Sequence, residues 1–252
     1  MRIVIIGGHG QVALLAAPLL VRGGHRVTSV VRNPDHVAEV EGTGAKALVS
    51  DVEQADEAEL RRLVAGGDAV IWAAGAGAGI PQRTYAVDRD AAIRTIDASV
   101  AEGVGRFVML SYVGSGRDNV PADNPFHAYA DAKAVADEYL RGTSLNWTIL
   151  GPCQLTDDPK SGRIQYGDEV SGGRVSRGNV AELLVGVVGR TDLAGVTIRF
   201  RDGRTGVWEA MESLARRAAG RPFAPRREGY RMAPEPERSG LPHRSVRQLG
   251  VE

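Results

Sequence analysis

Tyr129-Ala-Asp-Ala-Lys133 holds the residue types and the spacing best suited to chemistry. On a helix, residues i and i+4 share a face, so the phenol and the ammonium stand side by side. An unperturbed tyrosine titrates near ~10, too high for ready proton exchange at neutral pH. A neighbouring cation favours phenolate, so the spacing predicts that Lys133 lowers the Tyr129 pKa and makes it a general acid/base. The ammonium can also hold a ribose. Among 31 basic residues only three are lysines, Lys46, Lys133 and Lys160, so the pairing is uncommon by composition.

A second constellation opens the chain. Ile3 to Ile6 is a short β-branched run, followed by Gly7-Gly8-His9-Gly10-Gln11-Val12-Ala13. Glycine tolerates φ > 0 and close backbone approach, and the free amides of a following helix attract phosphate. Strand, glycine turn and helix together read as a dinucleotide pocket, spaced Gly7-x-x-Gly10-x-x-Ala13. Gly7, His9, Gly10, Gln11 and Val12 are the cofactor-binding candidates in this turn, His9 being either a phosphate ligand or an exposed loop residue. No acid lies between Val27 and Asn33 to grip a ribose 2′-hydroxyl, and Arg32 stands there instead. Its planar fork suits a 2′-phosphate, which predicts NADP (NADPH) over NAD. Asp35 is the alternative, as a ribose ligand for NAD. Asp51 is placed either to touch an adenine amine or to cap the next helix. Ala73-Ala74-Gly75 provides small residues against which a cofactor could lie.

These residues need a scaffold of alternating strands and helices. Strands are predicted at Ile3–Ile6, Arg26–Val31, Ala45–Val49, Asp68–Trp72, Arg106–Leu110, Leu145–Leu150 and Val196–Phe200. Helical patterns fall between them: one after Gly10 that closes at Gly23-Gly24, others near 55–65, 83–102, 127–141, 178–189 and 206–218. Pro18 is expected to kink or shorten the first helix. The alternation predicts an α/β fold, a doubly wound parallel sheet of Rossmann-like type, with ligand at the strand C-terminal ends. Residues 1–215 would form this domain, with 151–176 as a loosely patterned, Gly/Pro/Asp-rich substrate-side insertion. Residues 216–252 read as an Arg/Pro-rich tail of nine arginines and four glutamates, net +5 (9 − 4). Such a tail is either a solvated arm or a contact, including one that builds a homo-oligomer.

The 252 residues balance 31 basic against 31 acidic side chains, so no nucleic acid partner is expected. The single cysteine, Cys153, excludes internal disulfides. No apolar stretch reaches ~20 residues and no His/Asp/Glu cluster has metal-ligand spacing, so a cytoplasmic protein with no membrane contact and no metal is expected.

The glycine turn, Arg32, Ala73-Ala74-Gly75 and Tyr129-x-x-x-Lys133 resemble the short-chain dehydrogenase/reductase superfamily. Gly105-Arg-Phe-Val-Met-Leu-Ser111, Asp131 to Leu140, Asn146-Trp-Thr-Ile-Leu150 and Val175 to Ala181 are similar to its atypical, NAD(P)H-binding NmrA-like branch. The resemblance implies an NADPH-dependent oxidoreductase passing hydride between nicotinamide and a small carbonyl-type substrate. Tyr129 and Lys133 would be catalytic, with Ser111 or Tyr112 orienting the substrate oxygen. The superfamily's hydroxyl usually sits second in the polar pair closing the fifth strand, where this chain has Tyr112. Gly151-Pro152-Cys153 departs from the branch's Arg-Pro-Gly, and Cys153 is either a small apolar wall or a reactive thiol. The same resemblance also admits a non-catalytic NADP(H) redox sensor, or a flavin or quinone reductase.

Overall fold

The structure, a computed structural model, describes residues 1–77, 80–116 and 120–219. Its first strand, β1 (Arg2–Ile6), is buried on both faces: Ile3 and Ile5 join one core, Val4 and Ile6 the other. That division follows from the two-residue repeat of a strand. β2 (Arg26–Val31), β3 (Lys46–Val49), β4 (Ala69–Trp72), β5 (Arg106–Leu110), β6 (Trp147–Pro152) and β10 (Val196–Asp202) extend the sheet in parallel.

With β8 (Arg163–Tyr166) and β11 (Thr205–Gly206), the strand order is β11-β8-β10-β6-β5-β4-β1-β2-β3. β8 and β11 form its antiparallel edge. Successive strands step outward from β1 in one direction and from β4 in the other. The crevice between those two strand ends is the switch point at which such sheets bind ligands. α1 (Gln11–Arg22), α7 (Arg177–Val188) and α8 (Val207–Ala218) cover one face; α3 (Glu57–Val64), α5 (Ala92–Ala101) and α6 (His127–Arg141) cover the other. This is a single α/β domain with a Rossmann-like sheet and a C-terminal extension. Among the described residues, no helix is long and apolar enough to cross a membrane.

Four sequence expectations are revised. Residues 151–176 are not loose: they supply the end of β6, then β7 (Gln154–Thr156), β8 and β9 (Arg174–Ser176), with β7 and β9 paired as a small second sheet. These strands are too short to show a period. Pro18 does not shorten α1, which runs unbroken through it. The expected regular helix at 83–102 starts at Pro81 as α4 (Pro81–Thr84), passes through a π-helical turn, Tyr85–Ala91, and continues as α5. The cap of α3 is Asp56, whose carboxylate accepts from Glu59 N, and not Asp51. The tail expected at 216–252 begins inside α8, which carries its first three residues; 220–252 lie outside the described residues, and with them the expected oligomer contact.

Candidate functional site

The β1–α1 turn is built by close approach. Gly7 has φ +85°, and a Cβ there would stand 2.5 Å from Ala74 Cα at the end of β4. A Cβ on Gly8 would stand 2.4 Å from Ser29 Cβ on β2. Both positions exclude any side chain, so the turn lies flat between its two neighbouring strands. Gly10 then starts α1 with no side-chain cap and no acid in the first turn. The first-turn amides, with their partial positive charge, are thus left for an anion.

A cavity of about 340 Å³ opens over this turn. Gly7, His9, Gly10, Arg32, Asp51 and Ala73-Ala74-Gly75 all line it. Gln11 and Val12 do not: Gln11 is exposed and Val12 is in the core, so only their backbones are placed to take part. His9 stacks on His36 with ring centroids 3.5 Å apart, and its Nε2 lies 2.7 Å from Glu39 Oε2. Asp51 Oδ1 accepts from Glu53 N at 3.1 Å, closing a tight turn at the cavity wall.

Among the cavity residues that sequence reasoning missed are Glu53 and Arg83. Arg83 Nε donates to Glu53 Oε2 at 3.0 Å and its Nη1 to Ala76 O at 2.9 Å, while Arg32 Nη1 lies 4.0 Å from the same Glu53 oxygen. Their sequence separation of 30 hides the pair. Asp35 is not in the wall; its N–H donates to the Asn33 side chain at the start of a short 3₁₀ turn.

Past Ala73-Ala74-Gly75 the crevice continues into a second cavity of about 810 Å³. Ser111, Tyr112, Tyr129, Lys133 and Cys153 line it. Tyr129 and Lys133 meet as the helical spacing predicts, with Lys133 Nζ 5.8 Å from the Tyr129 ring centroid. The expected consequence is reversed. Burial pushes the Tyr129 phenol above its ordinary value; Lys133 pulls it down, and Asp88 and Asp137 push it up further. The phenol is held protonated.

Burial is the main cause of that reversal, and a contributor that sequence reasoning also missed is Asp88. Its Oδ1 lies 3.0 Å from Lys133 Nζ, and both side chains are nearly inaccessible, at 2% and 4% exposure. Asp88 Oδ2 accepts from Ala76 N at 2.9 Å, tying the pair to the loop after β4. Lys133 Nζ also donates to Leu110 O at 3.4 Å. Burial lowers the lysine pKa, but Asp88 and then Tyr129 more than offset this, leaving it raised. Asp88 sits in the π-helical turn, a local widening of the helix often found at functional sites. The one available signal was an acid on the otherwise apolar side of that helical pattern.

Ser111 lines this second cavity and is tied to a buried carboxylate. Its hydroxyl donates to Asp137 Oδ2 at 2.7 Å, and Ser115 donates to the same oxygen at 2.5 Å. Asp137 is fully buried, and burial raises its pKa against the pull of Ser115, Ser111, Arg141 and Lys133. The Tyr112, Phe126 and Tyr129 rings form a cluster with centroids 5.2–5.5 Å apart. Cys153 is buried and its thiol pKa is raised by burial, which makes it a wall and not a reactive thiolate.

Comparison with known proteins agrees with this geometry. A family model described as NAD(P)H-binding matches residues 7–191. The UPF0659 protein C216.03 of Schizosaccharomyces pombe is 31% identical over 229 residues, covering 82% of this chain and 92% of that protein. The uncharacterized sugar epimerase YhfK of Bacillus subtilis is 28% identical, covering 85% and 100%. Among solved structures, a putative NAD-dependent epimerase/dehydratase from Bacillus halodurans superposes with TM-score 0.78 at 29% identity, covering 85% of this chain and 100% of that one. The oxidoreductase ylbE of Lactococcus lactis gives 0.76 at 29% identity, covering 86% and 97%.

Proposed function

The chain belongs to the NAD(P)H-binding family, and from that premise we propose that it is an NADPH-dependent oxidoreductase that reduces a small carbonyl-type substrate. The observation that carries this reading is the Tyr129 phenol, held protonated at a cavity continuous with the glycine-turn crevice. A protonated phenol is the form that reduction needs.

The residues present fit the cofactor. The Gly7–Gly10 turn and the first-turn amides of α1 would hold the pyrophosphate, and Ala73-Ala74-Gly75 would let the cofactor lie against the backbone. Arg32 would take the 2′-phosphate. The neighbouring carboxylate, Glu53, is already held by Arg83. Bound NADPH supplies a hydride. Tyr129 then gives its proton to the carbonyl oxygen as that oxygen gains charge, so the C=O bond becomes an alcohol. Lys133, kept charged by Asp88, stabilises the phenolate left behind and holds the ribose. Ser111 or Tyr112, both in the cavity wall, orients the substrate oxygen; the Ser111 hydroxyl is held by Asp137 Oδ2, which favours Tyr112.

Calorimetric titration with NADPH and NADH tests the pocket. NADPH is expected to bind more tightly, and Arg32→Ala to weaken it by about 10–100-fold, one charge-assisted contact of ~1.5–3 kcal/mol. Equal affinities would remove Arg32 from the site and with it the NADPH assignment. Tyr129→Phe tests the chemistry: kcat should fall by ~10²-fold or more with NADPH affinity kept. Turnover unchanged in Tyr129→Phe would leave hydride delivery to a flavin or quinone. Tight NADPH binding with no turnover of carbonyl, quinone or flavin would instead mark a non-catalytic sensor of the NmrA-like kind.

A further inference from the structure

A third cavity, of about 410 Å³, lies behind the Phe126 and Tyr129 rings. Ile80, Pro81, Thr84, Phe126, Ala128 and Tyr129 wall it. It shares Gly75, Asp88, Phe126 and Tyr129 with the catalytic cavity, so the two meet beside the proton donor. We propose that this chamber is a substrate subsite for an aromatic ring, and that the enzyme reduces carbonyl compounds carrying such a ring and not sugars. The proposal rests on the reductase reading above.

Three observations carry it. First, the chamber's polar groups are already used. Thr84 Oγ1 donates to Ile80 O at 3.2 Å, and Asp88 is taken up by Lys133 and Ala76 N. Among the described side chains of the wall only the Tyr129 phenol remains, and it is needed at the reacting oxygen. A sugar would bring several hydroxyls against a wall with no free polar side chain but Tyr129 to pair them, and unpaired buried hydroxyls are penalised heavily. Secondly, the Tyr112, Phe126 and Tyr129 rings meet at 45–86°, the tilted and edge-on arrangements into which a further ring packs favourably. Thirdly, Ile80 and Phe126 stand 60% and 44% exposed at this chamber. Exposed apolar side chains gathered at a cavity beside a reacting group are what an apolar ligand covers.

The test uses benzylacetone, butanone and glyceraldehyde as carbonyl probes. NADPH oxidation should show the highest kcat/KM with benzylacetone, at least about tenfold above butanone, and the lowest with glyceraldehyde. In parallel, the NADP⁺-loaded protein, which cannot reduce a ketone, is titrated calorimetrically with benzylacetone. Phe126→Ala and Ile80→Asp should each weaken that binding by at least about tenfold, with NADPH affinity kept; Ile80 is exposed, so its variant is expected to fold. A preference for glyceraldehyde, benzylacetone no better than butanone, or binding indifferent to both variants would overturn the subsite. Binding sensitive to both variants with no ketone reduced would keep the subsite and overturn the reductase reading. Ready reduction of butanone with no binding gain from the ring would do the reverse.

Discussion

A buried cation stands at each end of strand β5, Arg106 on the strand and Lys133 reaching it from α6, and the two are satisfied in different ways. At its start, Arg106 is 2% exposed and donates to neutral oxygens: Asn146 O at 2.7 Å, Thr148 Oγ1 at 2.5 Å and Val187 O at 3.0 Å. Its Nε has no hydrogen-bond partner among the described residues, and burial lowers its pKa to about 10. Near the strand's end, Lys133 approaches Leu110 O but is matched by the Asp88 carboxylate, which raises its pKa despite complete burial. Arg106 ties β5, β6 and α7 together and lines neither site cavity. Lys133 is held charged in the wall of one. A buried charge is therefore not by itself a mark of function; what separates the two is whether a carboxylate fixes the charge beside open space.

Removing Arg106 should have the largest effect. Arg106→Met would remove three buried hydrogen bonds, leaving the Asn146 and Val187 carbonyls only their backbone donors, Phe107 N and Arg190 N, and the Thr148 hydroxyl no donor, a loss of about 4 kcal/mol. In a chain of this size that is a fall in Tm of about 10 °C. NADPH affinity at a temperature where the variant is folded should stay as in the parent. A weakened cofactor site at that temperature would break the comparison, since it would couple Arg106 to the opposite strand end.

Asp88→Asn should do the converse, with a smaller loss of stability, about 2 kcal/mol, and an added loss of function. The amide can still accept from Ala76 N, but Lys133 loses the charge that holds its proton. Desolvation then dominates and its pKa falls. We expect kcat to fall about tenfold, equivalent to ~1.4 kcal/mol of lost tuning. Activity should also decline with rising pH through the lowered lysine pKa, in a range where the parent is flat. That pH profile separates a positioning role from a packing role: a tenfold loss with an unchanged profile would make Asp88 structural, like the partners of Arg106.

The ease with which each end could be read differs for physical reasons. The β-branched run before Gly7, the period of α6 and the Tyr129–Lys133 spacing are local, so the parallel sheet and the phenol–ammonium pair were legible from residues a few positions apart. Asp88 reaches Lys133 across 45 positions, and its aim depends on a π-helical turn that no residue spacing announces. The pKa direction of Tyr129 was misread for the same reason, because burial and Asp88 are tertiary facts. Glu53 and Arg83 meet between separate βα connections, and the short strands β7–β9 owe their existence to pairing. Arg106 looked like an ordinary strand-opening residue; only its neighbours on β6 and α7 bury it.

Asp137 offers the smallest and most discriminating effect, because it is a buried carboxylate without the ion pair that Asp88 has. Two serine hydroxyls reach its Oδ2, and its Oδ1 has no hydrogen-bond partner among the described residues. Burial raises its pKa, with Ser115, Ser111, Arg141 and Lys133 opposing. The folded value therefore lies above the unfolded one, near ~3.9. Below about pH 4 both states hold the proton and its contribution to stability is complete. As pH rises through the raised folded value the unfolded chain ionises first, the folded state binds more protons, and stability is lost. Asp137→Asn removes this slope. Measured between about pH 4 and 7 at constant ionic strength, the variant should gain on the parent as pH rises, by about 2–4 °C in Tm for each kcal/mol of linkage. Parallel curves would mean that Asp137 is ionised as readily folded as unfolded. The serine pair would then hold its charge as effectively as Lys133 holds that of Asp88, and the line between paired and unpaired buried carboxylates would disappear.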